Sequence, residues 1–115
     1  MRQRRIPPDP LAADQHAAGP PPPGVVSVGN TFFISNRNFS INPAVDTIPV
    51  GTTFTWTWVG GGTHNVQSTG TPSFPSSALI NTKGAKYKYT FTQKGTYQYY
   101  CIRHPGTMTG RVLVR

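Results

Sequence analysis

The stretch "TTFTWTWV", residues 52–59, alternates without interruption: Phe54, Trp56 and Trp58 fall on one side, Thr53, Thr55 and Thr57 on the other. A period of two belongs to an extended strand, whose successive side chains point to opposite faces. One face is therefore apolar and core-facing, and the other is hydroxylated. The period recurs in "KYKYTFT" (86–92), which groups Tyr87, Tyr89 and Phe91, and in "TYQYYCI" (96–102), which groups Tyr97, Tyr99 and Cys101. Strands with one apolar face must bury it against a second layer.

Working outward, "VVSVG" (25–29) reads as a strand, and "NTFFISNRNFSINPAVDTIPVG" (30–51) as an irregular stretch ending in another. "GGGTHNVQS" (60–68) is a glycine-rich turn feeding a short strand, residues 69–85 form a long loop, and "GRVLVR" (110–115) closes the chain with a last strand. Glutamate is absent, and Thr, Val, Tyr, Phe and Gly dominate after residue 24. Those types suit pleated surfaces and turns rather than helices. The expected fold is all-β: an antiparallel Greek-key sandwich or barrel of seven to eight strands.

Residues 1–24, with "IPPDP" and "GPPPPG", read instead as a proline-rich tail or linker that cannot pair into a ladder. The folded domain is expected over residues 25–115. The opening "MRQRRIPPDPLAAD" is basic, as an export signal begins, but no apolar segment follows it. No apolar run approaches the roughly 18–20 residues of a membrane span.

Charge and cysteine content narrow the function. The domain carries eight Lys or Arg against Asp46 alone, which favours acidic partners or anionic surfaces. Nucleic acid is not expected, because neither a reading helix nor a basic–aromatic motif is present. A single cysteine excludes an intramolecular disulfide. "GGG" at 60–62 lacks the following helix and Lys-Ser/Thr pair of a phosphate loop, and no Ser-His-Asp set can be drawn.

The chemistry collects near the C-terminus. In "YYCIRHPGTMTG" (99–110), Cys101 is followed by His104 and Met108, and the strands between can bring His64 beside them. A lone strand cysteine is ordinarily a small buried hydrophobe, and a lone methionine a core filler. Here the only cysteine, two of three histidines and one of two methionines share one region. Thiolate, two imidazoles and a thioether select copper over hard cations. Zinc is the rival metal, but methionine is not a usual zinc ligand.

Residues 25–115 resemble the plastocyanin-like branch of the cupredoxins, the blue-copper proteins that include plastocyanin and azurin. The likeness is carried by "VGTTFTWTW", "GGTHNVQS" and "GTYQYYCIRHPGTMTGRVLV". It implies a single-electron carrier with one Cu(I)/Cu(II) ion, held by His64, Cys101, His104 and an axial Met108. Asn65 would tie the His64 loop to the Cys101 loop. The resemblance further implies a monomer that is not an enzyme, a periplasmic or extracellular location, and redox-protein partners, here with acidic docking surfaces. A copper carrier delivering metal to another protein is the alternative. A multicopper enzyme would need further ligands, and only His16, in the tail, remains. Two departures from higher-plant plastocyanins stand out: one residue fewer between His104 and Met108, and basic residues in place of an acidic recognition patch.

Overall fold

The side chains of Phe54, Trp56 and Trp58 are buried in the computed structural model, which describes residues 22–115. The expected tail therefore lies, apart from its last three residues, outside the described residues, as does His16. The chain forms β1 (Val25–Val28), β2 (Phe33–Ser35), β3 (Ala44–Ile48), β4 (Thr53–Trp58), β5 (Gln67–Thr69), β6 (Lys86–Thr90), β7 (Gly95–Tyr100) and β8 (Thr109–Val114). Two four-stranded sheets result, in the orders β2-β1-β4-β6 and β3-β8-β7-β5, and they face each other across one core. Among the described residues no helix is long and apolar enough to cross a membrane.

The all-β sandwich matches the expectation, but the sheets are mixed rather than antiparallel. β1 pairs with β4 in parallel, Val25 opposite Thr55 and Val28 opposite Trp58, and β3 pairs with β8 in parallel. The reason is connectivity. Between β1 and β4 the chain visits β2 and then crosses to the other sheet as β3, so it re-enters beside β1 in the same direction. Alternation in sequence reports which face a residue takes and is silent on strand direction.

β2 is a further difference, since it lies inside the stretch read as irregular. Its inward positions are Phe33 and Ser35, and a buried serine breaks the apolar alternation. The Ser35 hydroxyl accepts the backbone N–H groups of Arg37 and Asn38, so it turns the chain from within.

Aromatic rings fill the core. Trp56 stacks on Phe74 at 5.6 Å between centroids, and Tyr99 meets Trp56 edge-on at 5.3 Å and Phe33 at 4.9 Å. Phe74 comes from the long loop after β5, which therefore closes the side of the sandwich. Burial pushes the Tyr99 phenol well above the ordinary tyrosine range, so it stays neutral. Its ring lies over Gly110, the residue opposite it on β8. A Cβ at Gly110 would stand 2.1 Å from the ring, a separation no packed carbon tolerates.

β1, β4 and β7 all end at the pole where β2, β3, β5, β6 and β8 begin, as the register requires. The loops holding His64 and Cys101–Met108 meet there. At the other pole the buried Asp46 carboxylate accepts the N–H groups of Gly24 and Thr47, pinning the start of β1 to the opposite sheet. Gly110→Ala is expected to destabilise the protein by about 1–3 kcal/mol, read as a lower urea midpoint with an unchanged slope. An unchanged midpoint would mean that Tyr99 can leave its place at no cost.

Candidate metal centre

Gln67 on β5 pairs with Tyr100 on β7, and that register carries His64 and Asn65 alongside Cys101 and Ile102. Strand geometry thus joins two segments separated by 37 positions. Cys101 follows the alternation of β7 inward and is fully buried. Its backbone N–H donates to the Met108 carbonyl at 2.9 Å, closing the loop on itself. Inside that loop the N–H groups of His104 and Met108 donate to Cys101 O and His104 O, both at 3.0 Å.

His64 is held from three sides. A two-way backbone bridge joins it to Ile80, with N···O distances of 3.0 and 2.8 Å. Its Nε2 lies 2.9 Å from Gly61 O, and a carbonyl can only accept, so Nε2 carries the proton. Nδ1 is then left as a lone pair, and it faces Cys101 Sγ at 3.6 Å. A ring held by a hydrogen bond at its far nitrogen is the usual posture of a metal-ligating histidine.

His104 is half-buried, and its Nδ1 is buried with no hydrogen-bond partner. Its ring centroid lies 5.1 Å from that of His64. The ligand atoms of His64, Cys101 and His104 all fall within 4.8 Å of one another. Met108 is fully buried in the same loop, its carbonyl bound to Cys101. An orphaned imidazole nitrogen, a lone-pair nitrogen and a thiol converging on one point is a donor set that fits a soft or borderline metal ion. Asn65 Oδ1 accepts the Ile102 N–H at 3.1 Å, a hydrogen bond between the two loops.

Several supporting residues were not singled out from sequence. Asn30, between β1 and β2, accepts Gly61 N–H at 2.6 Å and leaves no room for a Cβ at Gly60. That clamp positions the Gly61 carbonyl for His64. The signal available was the run Gly60–Gly62, which reads as a turn until Asn30 is seen against it. Ile80 holds His64 through its backbone while its side chain packs against the core, and no sequence pattern announces the bridge.

Among the described residues, fold and site together define a small β-sandwich with a largely buried Cys/His cluster at one pole. Residues 31–115 match the model of the copper binding proteins, plastocyanin/azurin family, and the chain belongs to that family. It is 38% identical over 82 residues to a halocyanin of Natronomonas pharaonis, covering 69% of this chain and 50% of that one. Against a plastocyanin of Sambucus nigra it is 35% identical over 97 residues, covering 75% and 90% respectively. It spans only 26% of the chloroplastic plastocyanin of Silene latifolia that it also matches, at 46% identity over 43 residues. Among solved structures, a purple cupredoxin from Nitrosopumilus maritimus superposes with a TM-score of 0.63 at 30% identity, over 80% of this chain and 99% of that one. A reduced amicyanin variant gives 0.60 at 27%, over 79% and 80%. The His/Cys/His/Met cluster is compatible with one copper ion.

Removing the Asn65 carbonyl leaves the Ile102 N–H unpaired and loosens the tie between the His64 and Cys101 loops. Asn65→Ala is expected to weaken copper binding about 10–100-fold, measured by chelator competition, with the sandwich intact by circular dichroism. Unchanged affinity would mean that the strand register alone holds the loops together.

Proposed function

We propose that residues 25–115 form a single-electron carrier, with His64 Nδ1, Cys101 Sγ and His104 Nδ1 as the strong copper ligands and Met108 sulfur as the weak fourth. One observation carries the reading: His64, its ring held at Nε2, sets Nδ1 3.6 Å from the thiol, and His104 adds a buried Nδ1 with no partner, the ligand atoms of all three residues lying within 4.8 Å of one another. A bound copper would supply a one-electron Cu(I)/Cu(II) couple there. The residues do the rest. Cys101 must give up its proton to ligate, so loading releases a proton and adds to fold stability. The backbone network around Cys101, His104 and Met108 holds the donors in one geometry for both oxidation states. His104, the one half-buried member, places its outer edge toward solvent and offers a partner the shortest route.

On this reading the domain is a monomer, does no bond chemistry, and works in the periplasm or extracellular space with redox proteins whose docking surfaces are acidic. Arg103 beside His104 is exposed and favours such partners. On the same reading residues 1–24 are a proline-rich tail or linker.

The test is a visible absorption spectrum after Cu(II) addition, repeated on Cys101→Ser. An intense band that disappears on reduction and is absent from the variant is expected, with reversible voltammetry. A protein that loses its metal to a mild Cu(I) chelator whenever it is reduced would support copper delivery instead. A colourless Cu(II)-loaded protein would overturn the reading.

A further inference from the structure

Asp46 is the only acidic residue among the described residues, and it is buried. No acidic side chain of the described domain therefore reaches the surface, while eight basic ones do. They are unevenly placed. Lys86 and Lys88 project from β6, an edge strand, onto the outer face of its sheet, opposite Thr57 and Thr55 on β4. Two residues of strand separate them by about 6.5 Å, inside the roughly 8 Å screening length at physiological salt, so their fields add. Lys83 extends the row toward the metal pole. Its turn is fastened to the end of β4 by Gly84 N–H to Trp58 O at 2.7 Å and Trp58 N–H to Ala85 O at 2.9 Å.

Lysines on an edge strand also discourage edge-to-edge pairing. That explanation reaches Lys86 and Lys88 but not Lys83, which lies on a turn with no edge to protect. The row also ends at exposed apolar residues. Val59 follows directly on the fastened end of β4, and Leu79 precedes Ile80, whose backbone is bridged to His64. An apolar centre with a charged margin is the anatomy of a protein interface. Beside the lysines the sheet face presents Thr55 and Thr57, with Val25 and Ile34 half-buried on the strands beyond, and among the described residues there is no amphipathic helix to enter a bilayer, so a protein partner is favoured over a lipid surface.

We propose that Lys83, Lys86 and Lys88 form a ridge that docks an acidic protein surface and sets the side from which it meets the metal pole. The inference rests on the electron-carrier reading for its purpose, but its test reads charge alone. With the copper(I)-loaded full chain, hexacyanochromate(III) should broaden amide signals from Lys83 to Lys88 and on neighbouring β4. Poly-L-glutamate should bind at low ionic strength, and Lys86→Gln/Lys88→Gln should weaken that binding several-fold, while Arg111→Gln leaves it nearly unchanged. Broadening centred on Arg103 and Arg111, or poly-glutamate binding indifferent to the double substitution, would overturn the proposal. So would phosphatidylglycerol vesicles that bind through the lysines when poly-glutamate does not. The blue band and the voltammetric wave of the double variant are expected to match the parent, so failure of the ridge and failure of the copper reading are told apart.

Discussion

The hydrogen bond from Ile102 N–H to Asn65 Oδ1 joins two loops 37 positions apart, and the site depends on that junction. Each loop alone is ordinary. The Cys101–Met108 loop is a compact turn satisfied by its own backbone, and the His64 loop is a glycine turn leaning on Asn30. Only their contact sets Sγ and Nδ1 at 3.6 Å. A carrier of electrons gains from donors that do not move between oxidation states, and pinning both loops to strand ends provides that stillness. The same arrangement leaves an imidazole nitrogen and a thiol in the interior, an energetic burden that a bound metal converts into stability.

The aromatic core is the other half of that rigidity. Tyr99 lies two residues before Cys101 on the inward face of β7, and its ring is wedged between Trp56, Phe33 and Gly110. A strand so fixed cannot slide, because a one-residue slip would send every side chain to the wrong face. Cys101 inherits its position from that lock. Strain at Gly110 would therefore reach the site through β7, although Gly110 itself offers no ligand.

Much of this was legible in the sequence. The faces of β4, β6 and β7 followed from alternation, and Cys101, His104, Met108 and His64 stood out through residue scarcity and spacing. What alternation could not supply was direction. The parallel pairings of β1 with β4 and β3 with β8 come from crossovers between sheets, which no local pattern encodes. β2 escaped notice because three residues with a buried serine do not make a visible period. Asn30 and Ile80 escaped for a different reason. They act through a single side-chain oxygen and through backbone atoms, and such roles exist only once the loops have met.

The two poles divide the work. Gly24 enters the fold near Ile48 and Thr52, held by the Asp46 carboxylate, at the end away from His64 and His104. Whatever precedes residue 24 in the chain joins there, so it need not compete with a partner for the metal pole. Asp46 is suited to this position because its negative charge is spent on backbone N–H groups in the interior. The described domain thereby keeps its one side-chain carboxylate for architecture, and every charged side chain on its exterior is basic. On the docking proposal, a partner drawn by that exterior would be turned by the uneven placement of the lysines, and at short range the exposed Val59, Leu79 and Ile102 would offer it an apolar contact from which water can leave. Long-range attraction, local orientation and electron exit would then rest on different residues, so that attraction and orientation could be altered without dismantling the copper site.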